Sequence, residues 1–136
     1  MTTQGIDRSF LHAVNERVVV FDGAAGTTLQ SAGLDAADFG GADLEGCTEI
    51  LNVTRPDVIA AMHDEFLNVG VDVIETNTFG GFAVPLGEYG IADRAYELNK
   101  AAADIAVSVA RDHSTSTRPR WVAGSMGPGT KLPSLG

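Results

Sequence analysis

Asp22 stands where a carboxylate can do chemistry. It directly follows Val18-Val19-Val20-Phe21, an unbroken apolar and largely β-branched run. Such a run reads as a strand buried on both faces. An ionised carboxylate at its end needs hydrogen bonds or a cation to offset the loss of water. It could accept from a ligand ammonium group, or it could cap the short helix that follows. The residue types leave both readings open. Gly23-Ala24-Ala25-Gly26 comes next. Small residues there leave backbone N–H groups unobstructed, which suits a carboxylate or phosphate; a plain tight turn has the same composition. Neither Gly-x-Gly-x-x-Gly nor Gly-Lys-Ser/Thr is present, so the stretch is neither a dinucleotide fingerprint nor a phosphate loop.

Two further strand ends carry short polar groups. Val71-Asp72-Val73-Ile74-Glu75-Thr76 reads as a strand and runs into Asn77-Thr78. Alternation puts Glu75 and Asn77 on one face and Thr76 and Thr78 on the other. Trp121-Val122-Ala123-Gly124 reads as a third strand and runs into Ser125-Met126-Gly127. In a parallel sheet these three ends share one edge, and their composition suits a pocket for a small polar ligand. Asn77 and Thr78 could equally do no more than turn the chain. Cys47 has no His or second Cys at metal spacing and reads as an inert loop cysteine. His63 reads as a surface or core-edge residue of a helix. His12 and His113 sit in polar context, and no triad or metal cluster can be assembled from the three.

The elements that must hold these ends follow from periodicity. Phe10, Leu11 and Val14 could form one face of a short helix. Thr27 to Ala32 can form another, closed by Gly33. Leu34 to Val53, with Gly40, Gly41 and Gly46, reads as a long irregular loop. Thr54 is expected to cap a helix that has Pro56 in its first turn, Val58, Met62, Phe66 and Val69 on one face, and Gly70 as its stop. Ala95, Leu98, Ala102, Ile105 and Val109 mark a helix from about Asp93 to Asp112. Strands alternating with helices mean an α/β fold with a parallel sheet, either doubly wound or a β/α barrel. Both place ligands beyond the carboxyl ends of the strands.

Composition narrows the function classes. The chain has 136 residues, 44% hydrophobic and 20% charged, with a formal net charge of −9. That charge argues against nucleic acid and against an anionic membrane surface. The single cysteine cannot form an internal disulfide, and no run is long enough for a membrane span. A cytoplasmic location is expected.

Five segments in order resemble a known family: Asp22-Gly23-Ala24-Ala25-Gly26-Thr27; Glu49-Ile50-Leu51-Asn52 with Arg55-Pro56-Asp57-Val58-Ile59; Gly70 to Gly80 with its Glu75-Thr76-Asn77-Thr78-Phe79 core; Asn99 to Ala103; and Val122 to Pro128. The sequence is similar to the homocysteine S-methyltransferases over about Val18 to Gly136. It is most like the cobalamin-dependent branch, of which it looks like the opening, homocysteine-binding module. The resemblance implies a (β/α)8 TIM-type barrel, with residues 1–136 supplying its N-terminal portion of about three βα units. It implies a parent methyltransferase in which zinc holds the homocysteine sulfur as a thiolate and methylcobalamin delivers the methyl group, giving methionine.

By the same resemblance, Asp22 would accept from the homocysteine ammonium group. The N–H groups of Gly23, Ala24 and Ala25 would hold its carboxylate, and Asn77, Thr78 and Ser125 would line the pocket. The family's three zinc-ligand cysteines have no counterpart, and Cys47 stands in no matching motif. Residues 1–136 are thus expected to be a fragment truncated before those cysteines. It would bind no zinc or cobalamin itself, carry no catalytic residue and be inactive alone. Its unpaired sheet edges would favour self-association. The alternatives are a betaine- or methylmethionine-dependent member of the family, a flavodoxin-like module for a small ligand, or a self-associating α/β domain.

Overall fold

The computed structural model describes residues 6–129, with side chains from Phe10 onward. Three parallel backbone segments form its centre. β1 (Val73–Glu75) pairs in register with β2 (Trp121–Ala123), Val73 opposite Trp121 and Glu75 opposite Ala123. On the other side of β1, Phe21 bridges Val73 in parallel. There the Val20 carbonyl accepts the N–H groups of Asp72 at 2.8 Å and Val73 at 3.1 Å, and the Asp22 N–H donates to the Val73 carbonyl at 3.0 Å. The order across the sheet is therefore the order in sequence. A barrel orders its strands this way, whereas a doubly wound sheet places its first strand in the interior.

The helices Pro56–Val69 and Ala95–His113 pack on the Ile74–Val122 face of this sheet, while Phe10 sets its ring edge-on to Trp121, the ring centroids 5.4 Å apart. α1 (Ile6–Glu16) and α2 (Ala25–Ser31) flank the first segment in sequence. The short α3 (Leu51–Thr54) leads into α4 (Pro56–Val69), which has Pro56 at its start, where the missing N–H costs nothing. Gly70, at φ 106°, ends α4: its N–H donates to the Leu67 carbonyl and the Val71 N–H to that of Phe66. That pair of bonds is a Schellman motif, and its left-handed residue favours glycine. α5 (Ala83–Glu88) and α6 (Ala95–His113) complete the set. Leu98, Ala102, Ala106 and Ala110 form the buried stripe of α6. Its alanines let the helix lie close on Ile74 and Val122 of the sheet and on Leu67 of α4.

Several expectations are corrected. The first strand is not buried on both faces: Val18 is 82% exposed, and Val20 and Phe21 are close to half exposed. It pairs with β1 on one side, and no described element pairs with its other edge. Residues 34–53 are not an irregular loop. They hold two 3-10 turns, Ala42–Leu44 and Thr48–Ile50, and bury Phe39, Cys47, Ile50 and Leu51 with Ile59 and Leu98 in the larger core cluster. Thr54 does not cap α4; its hydroxyl donates to the Ile50 carbonyl instead. The buried stripe of α4 is rotated toward Ile59, Met62, His63 and Leu67, which leaves Val69 83% exposed. His63, expected at the surface or the core edge, is fully buried, and neither ring nitrogen has a hydrogen-bond partner.

Candidate functional site

The carboxyl ends of the three parallel segments turn around one cavity of ≈ 330 Å³, at the small end of ligand pockets. Asp22, Gly23, Ala24, Ala25, Asn77, Thr78 and Ser125 all line it. Seven residues singled out from three distant stretches of sequence thus meet at one place. What gathers them is the parallel register, which sets all three strand ends at one level.

Asp22 does not cap α2, whose start has no side-chain cap. Its Oδ1 accepts the Glu75 N–H at 3.0 Å and so ties the first strand end to the second. Burial pushes its carboxyl up to about 6, against the pull of that hydrogen bond, and the nearby Glu75 carboxylate adds to the rise. A group in this condition gains from a cation placed beside it. Beyond Asp22 the backbone turns through Ala24 at φ 52°, a left-handed conformation that is uncommon for a residue with a Cβ. Nothing lies within 4 Å of the Cβ positions of Gly23 and Gly26, so the turn is open on that side.

Thr76, Thr78 and Ser125 form a relay in which every proton can be placed. The Thr78 hydroxyl donates to the Ser125 carbonyl at 2.7 Å. Its single proton being spent, the Thr76 hydroxyl must donate to Thr78, at 2.7 Å. The Ser125 N–H in turn donates to the Thr76 oxygen at 3.1 Å. The second and third strand ends are fixed to each other in this way. Asn77 points to the other side of the strand. Its amide nitrogen donates to the Thr48 carbonyl at 2.8 Å and to Asn52 Oδ1 at 3.1 Å, while Asn52 donates back to the Asn77 carbonyl at 2.9 Å. The donors of Asn77 are therefore committed to holding the wall together.

Two further polar lining residues, Thr48 and Glu49, had no role in the sequence reading. Glu49 is buried, and its Oε1 accepts the Gly80 N–H at 2.6 Å. A carboxylate beside the apolar pair Ile50-Leu51 was the signal available, but the segment has no periodicity that would show which way it faces. Cys47, 1% exposed, has its thiol pushed up by burial. Among the described residues no group of three or more His, Cys, Asp or Glu side chains could hold a metal ion. None of their helices is long and apolar enough to cross a membrane.

Comparison with known proteins places the chain among relatives. The model of a family described as homocysteine S-methyltransferase matches residues 19–136. Methionine synthase of Mycobacterium tuberculosis is 51% identical over 130 residues, covering 96% of this chain and 11% of that protein. Methionine synthase of Mycobacterium leprae is 50% identical over the same length and shares. The chain thus spans about a tenth of the curated relatives it matches. Among solved structures, the metallated form of the Escherichia coli homocysteine methyltransferase MmuM superposes with a TM-score of 0.69 at 20% identity, over 89% of this chain and 41% of that one. At that identity the likeness speaks for the fold alone.

Proposed function

The chain belongs to the homocysteine S-methyltransferase family, and from that premise we propose that the Asp22–Ser125 cavity is its homocysteine site, serving methyl transfer to the homocysteine sulfur to give methionine. The observation that carries this reading is the convergence of the three strand-end turns on a cavity sized for an amino acid. In it Asp22 receives the ligand ammonium group, and the positive charge offsets the burial that now raises its carboxyl. The N–H groups of Gly23, Ala24 and Ala25 take the ligand carboxylate at the open turn. Thr78 and Ser125 form the wall beside it, and Asn77 holds that wall from behind. All of these groups bind and orient. No residue of this chain is assigned a bond-making step.

Zinc and methylcobalamin, which the family resemblance implies for a parent enzyme, do not fit the described residues. No set of three ligating side chains exists among them, Cys47 is buried, and the cavity is far smaller than a corrinoid. In our reading residues 1–136 are the opening part of a homocysteine-binding (β/α)8 barrel. The sequential strand order and the 41% share of the homocysteine methyltransferase chain support this. The same strand order disfavours a flavodoxin-like module. A cytoplasmic location and self-association through the sheet edges complete the proposal.

The test is a homocysteine titration followed by backbone amide NMR, on this chain and on Asp22→Ala. Shifts confined to residues 23–26, 77–79 and 125–127, and weakened in the variant, are expected. A folded sample with no shifts would overturn the reading.

A further inference from the structure

Three acidic side chains line the cavity, and they are not alike. Glu75 is exposed and Asp22 is half-buried, but Glu49 is buried, with 9% of its surface exposed. A buried carboxylate costs stability unless hydrogen bonds offset it. Glu49 accepts three from its surroundings: Oε1 takes the Gly80 N–H at 2.6 Å, and Oε2 takes the Thr48 hydroxyl at 3.3 Å and the Cys47 thiol at 4.0 Å. The first has the length of a charge-assisted bond. Its neighbour is shaped to permit it. A Cβ added to Gly80 would stand 2.9 Å from Oε1 and 3.2 Å from Cδ, so only glycine lets the carboxylate come this near.

The bond does not end at Gly80. The preceding carbonyl, of Phe79, accepts the Gly127 N–H at 2.9 Å. Gly127 is under the same constraint, since a Cβ there would lie 2.6 Å from the Phe79 oxygen. The carboxylate therefore adds a hold on the turn at residues 78–81 to those of its own backbone bonds and of Asn99, and the Phe79–Gly127 bond, with the Thr78–Ser125 bond, ties that turn to residues 125–127. Both turns border the cavity. An apolar side chain at position 49 would fill the same space beside Ile50 and Leu51 at less cost in desolvation, but it could not hold the Gly80 N–H.

We propose that Glu49 is a positioning residue of the ligand site, holding the turns after the second and third strands in the geometry that closes the wall around the bound amino acid. The inference rests on the homocysteine reading of the same cavity. It adds a role for a buried residue of the cavity wall that acts through the backbone of Gly80.

The experiment uses the full chain as wild type, Glu49→Gln, Glu49→Ala and Gly80→Ala. It measures the homocysteine dissociation constant and the amide proton shift of residue 80. Gln keeps an acceptor for the Gly80 N–H, so Glu49→Gln should retain most of the affinity. Glu49→Ala should weaken binding by about tenfold or more, the loss of one charge-assisted bond, and move the Gly80 amide proton upfield. Gly80→Ala keeps the carboxylate but pushes it off its bond, so it should weaken binding even if Glu49→Ala fails to fold. Wild-type affinity in a folded Glu49→Ala, or in Gly80→Ala, overturns the role of Glu49 and leaves the homocysteine reading standing. A folded wild type that binds no homocysteine overturns that reading and this inference with it.

Discussion

The carboxylate of Asp22 reaches across from the first strand end and accepts the backbone N–H of Glu75 at 3.0 Å. The bond is a cross-strand tie, and it holds a group whose burial favours the protonated form, with the carboxyl pushed up to about 6. Raised above its unfolded value, this carboxyl contributes stability that is fully present below about pH 4 and is lost as the pH rises through about 6. Asp22→Asn keeps an oxygen for the Glu75 N–H and removes the titration. The variant is expected to be at least as stable as the wild type near pH 7 and to bind homocysteine more weakly, a gain in stability taken from function. Urea unfolding at several pH values, with a homocysteine titration of each protein, checks both. A variant less stable than wild type at pH 7 would contradict the account.

His63 acts in the same pH window with the opposite sign. Burial alone lowers its pKa to about 4, and neither ring nitrogen has a partner. A histidine held neutral in the folded state contributes stability that is present above about pH 6.5 and is lost as the pH falls through about 4. His63→Leu is expected to raise stability by about 1 kcal/mol at neutral pH, since two unsatisfied polar atoms leave the core, and to flatten the acid limb. The wild-type slope is then a sum that the two variants take apart. It should turn more positive with pH in Asp22→Asn and more negative in His63→Leu. Equal slopes in all three proteins would mean that neither group titrates as its burial implies.

How much of this was legible depended on whether a signal was local. The three strand ends could be read because a short, largely apolar run followed by small polar residues is a local pattern, and parallel pairing then brings such ends together. Residues 34–53 could not be read. Their path turns on Gly40, Gly41 and Gly46, all at positive φ, and on 3-10 turns too short to show a period. What buries Ile50 and Leu51 is contact with residues of α4 and α6 far along the chain. For the same reason Glu49 went unassigned: its partner Gly80 lies 31 residues away. The Val18–Phe21 run shows the reverse failure. Its composition anticipates neighbours on both faces, and the described residues supply neighbours on only one side.

Asp72 and Arg17 hold the amino end of the sheet. Arg17 grips both oxygens of Asp72, at 2.8 and 2.9 Å, and the Val20 N–H donates to Oδ2 at 3.0 Å. The Arg17 guanidinium, which donates these bonds, holds the Asp72 carboxyl below its usual range. That contribution is present above about pH 4 and is lost as the pH falls through the lowered value. The two partners are unequal, because the side chain of Asp72 is 3% exposed and that of Arg17 is 44% exposed. Removing the arginine strands a buried carboxylate, whereas Asp72→Asn leaves a cation that water can reach. Arg17→Ala is therefore expected to lower the urea midpoint more than Asp72→Asn does, and to speed hydrogen exchange of the α1 amides. The reverse order would show that Arg120, 3.9 Å from Asp72, already serves as its counter-ion.

Both edges of the sheet present apolar surface. Along the first segment a groove of ≈ 630 Å³ is bordered by Phe10, Val14, Val18 and Phe21. Along β2 a second, of ≈ 600 Å³, is bordered by Phe10, Val107, Trp121 and Val122. The first segment has no described pairing partner on its outer edge, and backbone of that kind beside exposed Val18 and Phe21 is a template for a strand from a second copy of the chain. Light scattering after gel filtration should give a mass above that of one chain, rising with concentration. Val18→Lys puts a charge on an 82% exposed position of the first edge without touching the core, and lysine on an edge opposes pairing. The variant should shift the distribution toward the monomer and leave the cavity residues undisturbed. A wild type that is a monodisperse monomer with one sharp unfolding transition would show that the edges are satisfied within a single chain, and self-association would have to be given up.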